Sequence, residues 1–214
     1  MLEKEMELYL ESLIPDQLES IKEIEHFAEE HDVPIMEKIG IDFLLFLLTM
    51  QKPAKILEIG AAIGYSAIRM ALKLEEAQIV TVELNEDRYN TALQNIEKFS
   101  LSDRIKILLG DGLELEDKIE PYGPFDVVFI DAAKAQYKRF FSIYEQMLSP
   151  NGLIITDNVL FKGFVAKEQS ELSSRNVRQL ARKIDTYNKW LYSHPNFETT
   201  IIPIGDGIAI SRLK

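Results

Sequence analysis

The chain has 214 residues, a length typical of one domain. A composition of 46% hydrophobic and 28% charged residues is that of a globular protein, and it excludes collagen, extended disorder and low-complexity assemblies. The absence of cysteine excludes disulfide scaffolds, zinc fingers, iron–sulfur sites and thiol nucleophiles. The formal net charge of −11 disfavours uniform binding to nucleic acid or to an anionic membrane.

The chain shows no sign of export or membrane insertion. Its first residues are acidic and lack a basic stretch followed by an apolar one, so we expect no signal peptide. The longest unbroken apolar run is Phe43–Leu48, far short of the about 20 residues needed to span a bilayer. We therefore expect a cytoplasmic protein without a membrane segment, and the lack of cysteine fits a reducing compartment.

The N-terminal quarter has the apolar spacing of helices. Residues 3–30 carry apolar side chains three and four positions apart, and Pro15 predicts a break between two helices. Residues 31–34 are predicted to form a loop. A buried helix is predicted over 39–50, ended by Pro53.

From Lys55 onward, short β-rich runs alternate with helical stretches. The predicted strands are 55–60, 78–84, 104–110, 125–131 and 152–158, and the predicted helices are 64–74, 86–99, 112–120, 136–148 and 171–193. Strand–helix alternation with nearly continuous apolar strands predicts a parallel sheet covered on both faces.

Two further strands, 197–204 and 207–213, have no helix between them and are therefore predicted to be antiparallel. The predicted fold class is α/β, with a mostly parallel seven-stranded sheet, an antiparallel C-terminal hairpin and helices on both faces. We expect a single domain over 1–214, made of a helical cap (1–52) and an α/β core (53–214).

Every parallel strand is predicted to end in a polar or acidic group. In open parallel sheets the ligand binds beyond the carboxyl ends of the strands, so these groups form the candidate site. In chain order they are Glu58, Gly60 and Gly64, then Glu83, then Gly110, Asp111 and Gly112, then Asp131 with Lys134, and finally Asp157 with Asn158.

The loop after the first strand does not match a pyrophosphate-binding loop. Dinucleotide folds use G-x-G-x-x-G, but here Ala62 and Tyr65 occupy the positions of the second and third glycines. The carboxylate of Glu58 would repel a pyrophosphate and attract a cation, such as the ammonium or sulfonium of S-adenosylmethionine. The missing motif and the C-terminal hairpin also disfavour a nicotinamide oxidoreductase.

Two further strand ends suit the nucleoside part of such a cofactor. Glu83 lies 23 residues after Gly60, where an acidic side chain can accept hydrogen bonds from both ribose hydroxyls. Asp111 can accept from the adenine amino group, and the Gly112 amide can contact the adenine ring.

Asp131, Asp157 and Asn158 offer three hard oxygen ligands from neighbouring strand ends. With no His or Cys nearby in the sequence, they favour Mg²⁺, or another hard divalent cation, over zinc.

Four segments together resemble the S-adenosylmethionine- and cation-dependent O-methyltransferases, the group that includes catechol and caffeoyl-CoA O-methyltransferases. The segments read EIGAAIGYS, VFIDAAKAQY, GLIITDNVL and PIGDGIAISR, and the similarity runs from about Pro34 to the C-terminus. The resemblance implies the Rossmann-like class I methyltransferase fold and a homodimer.

The family pattern also implies residue roles. Lys134 would be the catalytic lysine, acting as a base or as an electrostatic stabiliser, and the metal would be held by Asp131, Asp157 and Asn158. The cofactor would be lined by Met36, Glu58, Gly60, Ala61, Ser66, Glu83, Asp111, Gly112 and Asp131. Two positions depart from the plant enzymes: Glu83 replaces an Asp, and Ala133 replaces a second Asp and so cannot be a ligand.

The substrate is less constrained by the sequence. The N-terminal helices and the length resemble the bacterial branch that methylates 5-hydroxyuridine at the wobble position of the tRNA anticodon loop, giving 5-methoxyuridine. Small catechol-like phenols present the same pair of adjacent oxygens and are the alternative. A non-catalytic module that binds nucleotides or RNA is an alternative of another class.

One segment is basic, although the chain as a whole is acidic. Residues 162–183 carry six Lys or Arg against two Glu, a local charge of +4, which is either a solvated helix face or a contact surface for an anionic substrate. Tyr137, Phe161 and Phe164 are nearby aromatics that could stack on a base or a phenol, or pack in the core.

Overall fold

A computed structural model of the chain describes residues 4–168, 171–172 and 174–214. In this part of the chain, α-helices and β-strands alternate as the sequence predicts. The helices are α1 (Lys4–Leu13), α2 (Glu19–Glu30), α3 (Lys38–Gln51), α4 (Tyr65–Lys73), α5 (Glu86–Lys98), α6 (Glu116–Ile119), α7 (Tyr137–Tyr144) and α8 (Arg175–Tyr192). The strands are β1 (Lys55–Ile59), β2 (Gln78–Glu83), β3 (Ile105–Leu109), β4 (Phe125–Ile130), β5 (Leu148–Thr156), β6 (Phe197–Ile202) and β7 (Ile208–Leu213).

The strands form one seven-stranded sheet in the order β3-β2-β1-β4-β5-β7-β6. The first five of these are parallel, and β7 pairs antiparallel with both β5 and β6. The predicted fold class, a mostly parallel sheet with an antiparallel C-terminal hairpin, is confirmed. The chain order reverses between β1 and β4, and such a switch point leaves a crevice at the carboxyl ends of the strands.

An apolar layer covers each face of the sheet, which explains why the strands read as continuous apolar runs. On one face, α2 to α5 pack on side chains such as Ile56 and Phe129. On the other face, α6 to α8 pack on side chains such as Leu57 and Val128. These layers hold the strand ends, and therefore the candidate site, in fixed register.

Four elements differ clearly in extent from the sequence-based prediction, three of them before residue 160 and the fourth being α8. Strand β5 starts earlier because its pairing with β4 is irregular after Phe125, which lets the stretch around Pro150 join the strand. Helix α6 starts later because the Asp111 carboxylate accepts the Leu113 amide, 2.9 Å away, in a local turn. Helix α7 ends earlier, in a 3-10 turn that leads directly into β5.

Helix α8 begins at Arg175, later than predicted. The Ser174 hydroxyl accepts the Val177 amide at 3.2 Å, which is the hydrogen bond of an N-cap. Residue 173 of the predicted helix lies outside the described residues. None of the described helices is long and apolar enough to cross a membrane.

Candidate active site

The candidate site is a cavity of about 690 Å³ at the carboxyl ends of the parallel strands. It lies at the switch point between β1 and β4. Eight of the predicted cofactor and metal ligands line it, and so does the predicted catalytic residue Lys134; the eight are Met36, Gly60, Glu83, Asp111, Gly112, Asp131, Asp157 and Asn158. The structure thus brings most of the predicted site residues into one cavity, while Glu58, Ala61 and Ser66 are buried beside it and do not line it.

At Gly60 the loop that follows β1 lies against the loop that follows β4. Its φ is +111°, and a Cβ added there would lie 2.0 Å from the backbone oxygen of Asp131. Only glycine tolerates both the backbone conformation and the contact. The loop after β1 can therefore lie directly against Asp131, and both residues line the cavity.

Glu83 organises the opposite wall of the cavity. Its two carboxylate oxygens accept the backbone amides of Ala62, at 2.7 Å, and of Asn85, at 2.8 Å. These bonds orient the carboxylate and tie the β1 loop to the end of β2, and each oxygen keeps a lone pair that can accept from a ligand hydroxyl. Asp111 and Gly112 lie next along the same wall, after β3.

The carboxylate of Glu58 faces the protein interior. It is fully buried and accepts hydrogen bonds of 2.5 Å from the hydroxyls of Ser66 and Thr81. It therefore links β1 to β2 and to the first turn of α4. Burial raises the pKa of Glu58 to about 7, and the two hydroxyl bonds oppose that rise.

This buried carboxyl predicts a pH-dependent stability. The native state holds a proton on Glu58 that the unfolded chain has released, so stability is lost as pH rises from about 4.5 to about 7. We expect Glu58→Gln to be more stable than the native chain at pH 8, by about 3 kcal/mol, and to lose that advantage near pH 4.5. Urea unfolding across this pH range measures the difference. The exposed Glu76→Gln is the matched control and should show no such trend.

Asp131, Asp157 and Asn158 meet at the ends of β4 and β5. The Asn158 amide donates to Asp157 Oδ2 at 2.9 Å and lies 3.4 Å from Asp131 Oδ1. The backbone amides of both aspartates donate to the neighbouring strand, Asp131 to the Ile59 carbonyl and Asp157 to the Ile130 carbonyl, so the two carboxylates are carried by hydrogen-bonded backbone.

In this arrangement the charged forms of Asp131 and Asp157 are electrostatically unfavourable. Burial raises the pKa of Asp131 to about 6, opposed by the positive charge of Lys134 and by the Asn158 bond. Burial also raises the pKa of Asp157, and the neighbouring Asp131 charge raises it further. A divalent cation between them would relieve this repulsion.

The donor set fits a hard cation. In the described part of the chain, no three His, Cys, Asp or Glu side chains converge in a way that could hold a metal ion, so the third protein ligand would be the Asn158 amide oxygen. Two carboxylates and an amide are oxygen donors of the kind that Mg²⁺ prefers, and they leave other positions for water or substrate. To bind the ion, Asn158 would present its side-chain oxygen in place of the side-chain nitrogen that faces the aspartates.

Lys134 begins the 3-10 turn that follows β4. It is half-buried and lines the cavity beside the Asp131–Asp157–Asn158 group. Its charge lowers the pKa of Asp131 against the effect of burial. The predicted catalytic lysine therefore lies where it can act on a substrate bound at that group.

Glu37 and Asp206 also line the cavity. Neither of these acidic residues was predicted from the sequence to belong to the site. Burial raises the pKa of Glu37, and the Asp206 carboxylate raises it further. Asp206 belongs to the turn between β6 and β7 and accepts the Lys162 amide at 3.2 Å. An aspartate between two glycines predicts only a turn, so the contact of Asp206 with the cavity could not be predicted from the sequence.

Tyr137 is not available for stacking on a substrate. Its ring is buried against Tyr187, with 5.4 Å between the ring centroids, and its hydroxyl donates to the Asp157 carbonyl at 2.9 Å. Its role is to support the loop that carries Asp157. Phe161 and Phe164 pack edge to face against each other at 5.2 Å and are partly exposed.

Known proteins resemble this chain over nearly its whole length. Caffeoyl-CoA O-methyltransferase 1 of Eucalyptus globulus is 30% identical over 207 residues, covering 94% of this chain and 84% of its own length. A crystal structure of a candidate caffeoyl-CoA O-methyltransferase from Staphylococcus aureus superposes with a TM-score of 0.90 and 40% identity, covering 96% of this chain and 98% of that one.

A Bacillus cereus O-methyltransferase, solved in complex with SAH, superposes with a TM-score of 0.84 and 27% identity, covering 98% of this chain and 97% of that one. A family model described as O-methyltransferase matches residues 11–214. The chain therefore belongs to the O-methyltransferase family.

Proposed function

We propose that this protein transfers the methyl group of S-adenosylmethionine to the 5-hydroxyl of 5-hydroxyuridine at the tRNA wobble position. The observation that carries the proposal is the meeting of Asp131, Asp157 and Asn158 beside Lys134, in the cavity that Glu83 and Asp111 also line. One part of this cavity suits a nucleoside-containing methyl donor. The other part suits a hydroxyl that binds a hard cation.

The donor's parts match the cavity walls. Glu83 would accept the ribose hydroxyls, and Asp111 and Gly112 would contact the adenine. Met36 and Gly60 border the remaining space. Methyl transfer requires the acceptor oxygen in line with the sulfonium carbon, about 3 Å away, so the main task of these walls is positioning.

Asp131, Asp157 and Asn158 would hold a Mg²⁺ ion or another hard divalent cation. Such an ion lowers the pKa of a hydroxyl bound to it and fixes the direction of its oxygen. In 5-hydroxyuridine the 5-hydroxyl lies beside the 4-carbonyl, a pair of oxygens suited to chelation.

Lys134 would receive the hydroxyl proton or stabilise the oxyanion as an ammonium. We expect Lys134→Ala to lower the methyl-transfer rate about a hundredfold, the usual scale for one acid–base or charged group. Lys134→Arg keeps the charge but cannot accept a proton at neutral pH. Methyl-transfer rates of both variants across pH therefore separate the two roles. A rate close to native in the Arg variant indicates stabilisation by charge, whereas a loss of rate in both variants indicates proton transfer. Exposed Lys118→Ala is the control.

Nucleoside analysis of tRNA tests the substrate. In cells lacking this protein, 5-methoxyuridine should fall and 5-hydroxyuridine should accumulate, and purified enzyme with S-adenosylmethionine and Mg²⁺ should reverse this on the isolated tRNA. An unchanged 5-methoxyuridine level would contradict the proposal. A tRNA substrate also implies a cytoplasmic location.

A catechol-like phenol is the second candidate, favoured by the names of the plant relatives, since a caffeoyl group carries two adjacent hydroxyls. It would be chelated in the same way as 5-hydroxyuridine. Rapid turnover of free catechols, with none on tRNA that lacks the methyl group, would establish it in place of the tRNA substrate. A non-catalytic binding module predicts no turnover on either.

We also propose that the protein is a homodimer. Helix α1 buries none of its residues, and Leu8, Tyr9 and Leu13 are each more than half exposed. A ten-residue helix is marginal in water without packing, so a second copy covering this face would stabilise it. Light scattering should give twice the 24.6 kDa chain mass.

A further inference from the structure

One wall of the active-site cavity carries charged residues to which no role has yet been given. We call this wall the acceptor rim, and its charged residues are Glu37, Lys162 and Asp206. In the sheet, β2 and β3, whose ends form the walls proposed for the nucleoside part of the cofactor, lie on one side of β4 and β5, and β6 and β7 lie on the other. The Asp131–Asp157–Asn158 group, at the ends of β4 and β5, therefore lies between the cofactor walls and the acceptor rim.

Hydrogen bonds hold the turn between β6 and β7 against the loop that follows Asn158. The Val159 amide donates to the Gly207 carbonyl at 2.9 Å. The Asp206 carboxylate accepts the Lys162 amide through Oδ1 at 3.2 Å. The turn therefore has a fixed position beside Asn158, and one oxygen of Asp206 already serves to hold it there.

The carboxylate of Glu37 lies against the same turn, but it reaches the turn from the start of α3. A Cβ added at Gly205 would lie 3.2 Å from Glu37 Oε2, so the two residues are in close contact. Within the described part of the chain, the Glu37 side chain forms no hydrogen bond and no ion pair, and it does not cap α3. Both of its oxygens can therefore accept a hydrogen bond from a ligand in the cavity.

The charges around Glu37 determine which ligand group suits it. Partial burial raises the pKa of Glu37, the carboxylates of Asp206, Glu7 and Glu11 raise it further, and the Lys162 charge lowers it. These neighbours make the surroundings of Glu37 predominantly negative, so an anionic group of an acceptor substrate would be repelled there. A neutral N–H group would instead be attracted, because hydrogen bonds to charged acceptors are the stronger ones.

We infer that Glu37 accepts a hydrogen bond from N3–H of the uracil ring and thereby favours a 5-hydroxypyrimidine over a catechol, an inference that rests on the proposed function. The 5-hydroxyl must face the methyl donor while it and the 4-carbonyl face the Asp131–Asp157–Asn158 group. On the ring, N3–H flanks the 4-carbonyl on the side opposite the 5-hydroxyl, so it points away from the donor and toward the acceptor rim. A catechol has a C–H group at that position and cannot donate this bond.

The test compares Glu37→Ala and Glu37→Gln with the matched control Glu11→Ala. Glu11 is exposed on α1 and acts on Glu37 through its charge, but it does not line the cavity. The substrates are two anticodon stem-loops, one with 5-hydroxyuridine at the wobble position and one with its N3-methyl form. The kcat/KM for methyl transfer is measured for each pair, and calorimetry with S-adenosylmethionine checks that each variant is folded.

We expect Glu37→Ala to lower kcat/KM on the 5-hydroxyuridine stem-loop about thirtyfold, the scale of one hydrogen bond to a charged acceptor. Glu37→Gln keeps an acceptor oxygen and should stay within about fivefold of the native protein, and Glu11→Ala should match it. On the N3-methyl stem-loop, which lacks the donor, the native protein should have no advantage over Glu37→Ala.

Three results on the 5-hydroxyuridine stem-loop would overturn the inference while leaving the proposed function intact: Glu37→Ala within about twofold of native, Glu37→Gln no better than Glu37→Ala, or an equal loss in Glu11→Ala. An equal loss of Glu37→Ala on both stem-loops would overturn it as well. If the N3-methyl stem-loop is not turned over at all, the comparison of the three variants decides. A native protein that methylates neither stem-loop contradicts the proposed function, and the inference falls with it.

Discussion

Replacement of Asp157 by Asn should lower the methyl-transfer rate about a thousandfold, while affinity for S-adenosylmethionine changes by less than about threefold. The variant keeps the shape of the side chain but removes the buried Asp157 carboxylate, and loss of a bound metal ion costs several kcal/mol of transition-state stabilisation. Rates and cofactor affinity are measured separately, by methyl transfer and by calorimetry.

Unfolding does not explain such a loss, because burial and the adjacent Asp131 raise the pKa of Asp157 and make its charge costly. The metal-free variant should therefore melt no lower than the native protein. Asp206→Asn is the matched control, since Asp206 lines the same cavity but bonds to the Lys162 amide. We expect that variant to lose less than about tenfold; equal losses at both positions would count against a role specific to Asp157.

Removal of divalent ions should reproduce the effect in the native protein. After EDTA treatment its rate should fall to that of Asp157→Asn, and added Mg²⁺ should restore the native protein but not the variant. Turnover that is indifferent to EDTA would rule out metal assistance.

Much of this site could be predicted because the geometry of a parallel sheet is so restrictive. Once strands alternate with helices, the residues that follow each strand must meet at one edge. Asp111, Asp131 and Asp157 are far apart in the sequence, but each comes within two residues of the end of a parallel strand. Their meeting follows from strand order alone, without knowledge of any loop.

Side-chain direction and contacts from outside the strands could not be predicted in the same way. In a strand buried on both faces, apolar periodicity does not mark which face meets the ligand, so the inward direction of Glu58 was not evident. Glu37 and Asp206 reach the cavity from the start of α3 and from a hairpin turn, whose positions depend on tertiary packing. The burial of Tyr137 depends likewise on where α8 docks.

Replacement of Gly60 by Ala should destabilise the protein by more than about 4 kcal/mol and abolish cofactor binding. The new Cβ would lie 2.0 Å from the Asp131 backbone oxygen, and the φ of +111° is strained for any L side chain. No rotamer change relieves a contact with backbone, and the Asp131 amide is bonded to Ile59 at 2.9 Å, so β1 and β4 must separate.

Thermal unfolding measures this effect, with an expected fall in melting temperature of about 10 °C or more. Gly40→Ala is the matched control. Gly40 lies within α3, where the added Cβ would meet only the flexible Met36 side chain, 3.3 Å from its terminal methyl and 3.6 Å from its Cγ. Because Ala favours a helix over Gly by about 1 kcal/mol, this variant should melt at or above the native temperature. Similar melting of both variants would show that the β1 and β4 loops are not in tight contact, and the active-site geometry derived from that contact would have to be abandoned.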